Sequence, residues 1–103
     1  MTKLSYITKK DKVVSETSQL AIKVLSNKNR HALLRVLINT KKDLCVYELA
    51  EAVGMSQSAT SHQLSYLEAY GVVKSFRTGK TKCYLLTDSK LSKKVSKIIK
   101  LLN

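Results

Sequence analysis

The 103-residue sequence predicts a mainly α-helical fold carrying one small β-hairpin. Three observations support that reading. There is no proline and there are only three glycines, so chain punctuation is as sparse as a helical domain requires. Apolar residues recur at helical spacing through successive stretches. One segment departs from that rhythm: "VVKSFRT" and "KCYLL", β-branched or aromatic runs, lie on either side of "TGKT" and read as two strands joined at Gly79. With 44% hydrophobic and 25% charged residues the chain is able to bury a core. Its length argues for one domain.

Residues 1–10 are polar and basic and read as a flexible arm ahead of a single domain over residues 11–103. From Asp11 to Leu25, Val13, Thr17, Leu20 and Val24 recur at helical spacing, with Val14, Ala21 and Leu25 alongside. Ser26 or Asn27 is placed to cap the next helix, which sets Leu33, Leu34, Leu37 and Ile38 on one face and leaves Arg30 and Arg35 off it. After the polar "NTKKD", Asp43 is expected to cap a short third helix with Val46, Leu49, Ala50 and Val53 inward. Gly54 follows where a left-handed C-terminal cap is wanted. Ser56 caps a helix over residues 56–70 whose buried side is Thr60, Leu64 and Leu67, and Gly71 ends it. After the hairpin, Asp88 or Ser89 caps a last helix. There Leu91, Val95, Ile98 and Leu102 form a stripe widened by Ile99 and Leu101. Two helices around a short glycine-containing turn, followed by a two-stranded ribbon, make a winged helix-turn-helix.

Nineteen lysines and arginines stand against seven acids, a net charge of +12. Such a balance suggests a polyanionic partner, usually nucleic acid; the bland reading is a lysine-rich soluble surface. No run approaches the roughly 20 apolar residues that span a bilayer, and "MTKLSYITKK" lacks an apolar signal core. The expectation is a cytoplasmic protein with no membrane partner. Cys45 and Cys83 are not at metal-motif spacing and in a reducing compartment are most simply free thiols. With only His31 and His62, few acids, no glycine-rich phosphate loop and no nucleophile beside a base, the chain does not read as an enzyme. No cofactor is expected.

The helix opening "SQSATSHQL" is unusual for a surface helix, which more often uses Glu, Lys and Arg. With Thr60, Leu64 and Leu67 inward, Gln57, Ser58, Ser61, His62 and Ser65 project outward. A glutamine amide serves adenine bidentately, and serine pairs with donors or acceptors. The N-terminal end of such a helix is what approaches base edges in the major groove. The ribbon adds Arg77, Lys80 and Lys82, with no acid between Gly71 and Leu86, as phosphate contacts; a solubilising, edge-protecting role is the alternative. Val13, Leu20 and Val24 on the first helix and Leu91, Val95, Ile98, Ile99 and Leu102 on the last read as a seam for a second copy, or as the closing of one chain's own core. A dimer suits a short recognition helix, since two copies read a two-fold symmetric site.

The run "DLCVYELAEAVGMSQSATSHQLSYLEAYGVV", with "VLSNKNRHALLRVL" before it and "RTGKTKCYLL" after, resembles the core of the ArsR/SmtB family of bacterial winged-helix repressors over about residues 20–87. The resemblance implies a homodimer joined through the first and last helices. It implies a repressor that binds double-stranded operator DNA and leaves it when an effector binds. It carries DNA contact onto Gln57, Ser58, Ser61 and His62, with Ser56 and Ser65 flanking them, and onto the basic residues around Gly79. Both metal sites of the family are incomplete here. "CVY" offers Cys45, but Tyr47 replaces the second thiolate. In the last helix Asp88 is followed by Lys90 where a histidine is needed, and Lys93, Lys94, Lys97 and Lys100 repel a cation. A soft-metal site takes three or four thiolate or imidazole ligands, so no metal is expected.

The effector stays unidentified from sequence. A thiol-responsive repressor using Cys45 and Cys83 is one alternative, a degenerate metal-responsive one another, and a winged module that binds protein or RNA a third. Lys41, Lys42 and a helix start favour a Cys45 thiolate, and Asp43 opposes it. A disulfide needs Cα atoms within about 7 Å, and the sequence supplies no reason to place these two so close. As buried thiols both would serve as small hydrophobes.

Overall fold

The computed structural model describes residues 15–102. Helix α1 spans Glu16–Leu25 and α2 Lys28–Thr40; strand β1, Leu44–Cys45, leads directly into α3, Val46–Val53. Then come α4, Gln57–Ala69, the hairpin strands β2, Val73–Thr78, and β3, Thr81–Leu86, and finally α5, Lys90–Leu102. The architecture is the mainly α, winged helix-turn-helix arrangement that the sequence predicts. The arm over residues 1–10, and Val13, lie outside the described residues.

Helix starts follow local capping chemistry. Ser15 accepts from the Ser18 N–H at 3.1 Å and opens α1. The predicted 11–25 helix is therefore observed from Glu16 onward. Of the two candidates for α2, Asn27 does the capping, its Oδ1 accepting from the Asn29 and Arg30 N–H groups. Ser89, not Asp88, caps α5 by accepting from the Ser92 N–H at 3.1 Å. The third helix corrects the sequence reading: Asp43 is not its cap. Leu44 and Cys45 are pulled into the sheet, Cys45 becomes the N-cap residue, and its N–H is taken by Glu48 Oε1 at 2.9 Å.

The sheet is antiparallel with order β1–β3–β2. Leu44 faces Tyr84 and Cys45 faces Cys83 across one pairing; Ser75 faces Tyr84 and Phe76 faces Cys83 across the other. Alternation along strands sends Leu44, Tyr84 and Val73 to the core side and Cys45, Cys83 and Phe76 to the opposite face. Tyr84 and Val73 are each 1% exposed. Helix α2 is central, packing against α1, α3, α4, α5 and β3. Its Leu33, Leu34 and Leu37 are buried, and each such side chain contributes roughly 1.5–3 kcal/mol.

Helices α1 and α5 pack on each other. Val24, Val95 and Ile99 are 0% exposed and Leu91 is 7% exposed, so these four seam candidates close the chain's own core. A side chain already out of solvent has no surface left to offer a partner. Leu20 and Ile98 pack at the margin of that core. The exposed apolar groups of the pair are Ile22 at 65%, Leu101 at 85% and Leu102 at 64%.

Candidate nucleic-acid interface

The turn between α3 and α4 is built from backbone requirements. Gly54 takes φ 70° as the C-cap of α3, a left-handed conformation that glycine accepts without a Cβ clash. Its N–H and that of Met55 return to carbonyls of α3. Ser56 then opens α4, its hydroxyl accepting from the Ala59 N–H at 3.0 Å. This makes Ser56 first a cap, though it remains exposed. Thr60, Leu64 and Leu67, all 0% exposed, seat the helix on the core. Gln57, Ser58, His62 and Ser65 are exposed and Ser61 is half-buried. The first turn of α4 holds no acid, so its free N–H groups and dipole stay available to an anion.

A clamp that sequence reading missed holds α4 in place. Arg30, at the start of α2, donates to the backbone carbonyls of Val24 at 3.0 Å and Lys23 at 3.2 Å, and to Gln63 Oε1 at 3.3 Å. Its guanidinium lies 4.0 Å from the centroid of the Tyr66 ring, a cation–π contact. One side chain thus neutralises the C-terminal end of α1 and grips α4 through two residues. Lys23 adds a hydrogen bond to the Tyr70 hydroxyl at 3.0 Å. That bond, helped by Tyr66, holds the Tyr70 phenol below its ordinary range and raises Lys23. No sequence signal links these positions, which meet only through the tertiary fold.

The hairpin is fastened to α4 and to the helix-turn-helix. Ser75 Oγ donates to Glu68 Oε2 at 2.6 Å, which occupies the only acid of α4. Thr87 and Ser89 hydroxyls both donate to the Gly71 carbonyl. At the tip, Gly79 takes φ 63° and Lys80 does not have positive φ, the pattern of a type II′ two-residue turn. Arg77 stands directly opposite Lys82. Like charges so placed destabilise a ribbon, and a phosphate backbone would relieve them. Lys82 is half-buried with its Nζ 5.6 Å from the Tyr84 ring centroid, whereas Arg77 and Lys80 are exposed.

Cys45 and Cys83 are brought together, against the expectation of separate free thiols. They face each other in the β1–β3 pairing, with Cα atoms 3.7 Å apart, and are joined as a disulfide. The register was invisible in sequence because β1 is only two residues long. His31 is half-buried and its Nε2 has no hydrogen-bond partner among the described residues. Among the described residues no three His, Cys, Asp or Glu side chains gather as a metal site, and no helix is long and apolar enough to cross a membrane.

Residues 27–75, which hold α2, α3, α4 and the start of the wing, match the family model described as bacterial regulatory protein, arsR family. The structure of the AntR antimony-specific transcriptional repressor superposes with a TM-score of 0.74 at 30% identity, covering 92% of this chain and 78% of that one. The chain belongs to the arsR family. Its family is one of transcriptional regulators, not of enzymes. The cadmium resistance transcriptional regulatory protein CadC of Listeria innocua is 35% identical over 69 residues, which is 67% of this chain. That match spans 57% of the CadC length. The winged helix-turn-helix DNA-binding domain of Mb0332 from Mycobacterium bovis, described as homodimeric, shares the arsR fold at TM-score 0.66 and 24% identity, covering 84% of this chain and 75% of that one.

Proposed function

We propose that this arsR-family chain is a transcriptional repressor that binds a palindromic operator as a homodimer, with α4 in the major groove and the wing along the phosphate backbone. The observation that carries this reading is the solvent face of α4. Gln57, Ser58 and His62 stand exposed, with no lysine, arginine or acid among them, at the tip of a helix that Arg30 and the core fix in place, beside a wing whose Arg77 opposes Lys82. Gln57, Ser58, Ser61, His62 and Ser65 read base edges. Arg77 and Lys80 meet phosphates, and Lys82, drawn over Tyr84, contributes less. Ser56 supports the helix tip and donates its hydroxyl proton outward.

Two copies join through α1 and α5. Leu20, Ile22, Ile98, Leu101 and Leu102 supply the apolar contact, while Val24, Leu91, Val95 and Ile99 support it from within. The homodimeric domain from Mycobacterium bovis supports this assembly. The repressor works where the genome is, in the cytoplasm. It is not a standard metal sensor: Tyr47 and Lys90 stand in the places where ligands are needed.

Lys80→Ala tests the wing. Fluorescence titration of duplex DNA at several salt concentrations is expected to show weaker binding to every duplex, with the log–log salt slope flattened by about one unit at most. A loss confined to one sequence would contradict a phosphate role for Lys80.

A further inference from the structure

One face of α5 runs against the electrostatics of an isolated helix. Its first turn holds no acid, and Lys90 and Lys93 stand there, where the helix dipole disfavours cations. Lys90–Lys94 and Lys93–Lys97 are like-charge pairs four residues apart, which destabilise a helix. Among the described residues none of these four lysines pairs with a carboxylate. They surround a cavity of about 350 Å³ whose other wall is Ser15 and Thr17, at the start of α1. Among the described residues the acids nearest in sequence, Glu16 and Asp88, do not line it.

The cavity has one fixed charge. Lys94 is half-buried and donates to Ser18 Oγ at 3.0 Å, and Ser18 Oγ also accepts from the Ser15 hydroxyl at 2.9 Å. This pair of hydroxyls ties α1 to α5 and sets one ammonium into the wall. Lys90, Lys93 and Lys97 are exposed around it. The lining narrows the chemistry of a ligand. Four ammonium groups in one concave space need several negative charges to balance them. Lysine serves phosphate as a point charge, whereas a carboxylate is matched best by the planar fork of arginine, and no arginine lines the cavity. No aromatic ring lines it, so a base has no platform on which to stack. From Lys90 to Lys97 the row runs about 10 Å along the helix, longer than a single phosphate covers. No lining residue belongs to α4, to the wing or to the apolar contact proposed between two copies.

We propose that the cavity between the start of α1 and the lysine face of α5 is a binding site for linear oligophosphates, held through their phosphate groups alone. Inorganic triphosphate and the tail of a nucleoside triphosphate share that chemistry. Lys94 meets the chain from the wall, Lys90, Lys93 and Lys97 close on its outer oxygens, and the Thr17 hydroxyl donates to it. The bound chain turns the repulsion along α5 into attraction. This site stands independently of the operator reading.

The test titrates the full chain with inorganic triphosphate by calorimetry at near-physiological salt, beside ATP, orthophosphate and citrate. One saturable site per chain is expected, with ATP equal to triphosphate and with orthophosphate and citrate much weaker. The Lys93→Gln, Lys97→Gln double variant is expected to bind triphosphate about tenfold more weakly or worse, the scale of losing charge-assisted hydrogen bonds. Lys28→Gln, Lys42→Gln removes the same charge elsewhere and is expected to bind as the wild type does. All four positions are exposed, and circular dichroism checks that both variants fold. Equal losses in the two variants would mean diffuse attraction to a basic surface and would overturn the site. Citrate binding as tightly as triphosphate would overturn the preference for phosphate, and markedly tighter ATP would overturn recognition through phosphate alone. The two variants are also compared on duplex DNA, where equal affinities are expected. A greater loss in the α5 pair would make the row a nucleic-acid contact and not a small-ligand site.

Discussion

In the proposed operator reading, Gln57 is the residue on which sequence discrimination most depends. It is exposed at the first position of α4, and its amide is able to pair bidentately with N6 and N7 on the major-groove edge of an adenine. Gln57→Ala is expected to cost about 1–3 kcal/mol at particular base pairs, read by competition among duplexes that differ at one position. An unchanged base preference would contradict the role. Thr60, three residues on, faces the other way. It is 0% exposed and its Oγ1 is buried with no hydrogen-bond partner among the described residues. A buried unpaired hydroxyl costs stability that an isosteric methyl does not, so Thr60→Val is expected to be neutral or to gain about 1 kcal/mol in denaturant unfolding. A clear loss would mean that the hydroxyl is satisfied after all. Both orientations were legible in sequence, because helical periodicity alone separates the two faces. Arg30 was not legible: its partners Val24, Gln63 and Tyr66 depend on how α1 and α4 are laid against α2.

At the scale of elements, the helix-turn-helix turn and the wing follow from local chemistry. Gly54, Ser56 and Gly79 each occupy the position their conformational or capping preference assigns. Gly54→Ala is expected to cost about 1 kcal/mol. Among the described residues, no atom beyond its chain neighbours lies within 4 Å of the Cβ it would add, so the cost is the backbone's alone. Gly54→Asn should cost less, since asparagine tolerates the left-handed region; thermal unfolding of the two variants checks the order. Equal or reversed losses would point to a steric cause. Strand β1 escaped the sequence because two residues carry no periodicity, and its existence depends on a partner 38 residues away. The same long-range pairing decided that Cys45, not Asp43, is the N-cap residue of α3, and that the two thiols meet.

For the whole molecule, the apolar stripe of the last helix divides between the chain's own core and solvent. Spacing alone placed Leu91, Val95, Ile98 and Leu102 together, but it does not tell a chain's own core from a partner's. Burial separates them: Val95 lies inside, and Leu101 and Leu102 remain outside. A charge at Ile98 would mix dissociation with unfolding, because Ile98 packs on the core. Leu102→Glu avoids this. Sedimentation velocity is expected to show the dimer shifted to monomer with unchanged helical circular dichroism. A persistent dimer would move the interface away from this end of α5. The net charge of +12 ensures that some DNA binding will be electrostatic whatever the function, so affinity for one duplex is a weak criterion. Selection from a randomised duplex pool at near-physiological salt, followed by sequencing, is the more direct measurement. The operator-binding account predicts enrichment of a two-fold symmetric site whose half-sites lie about one helical turn apart. A pool that binds but stays random in sequence would contradict it.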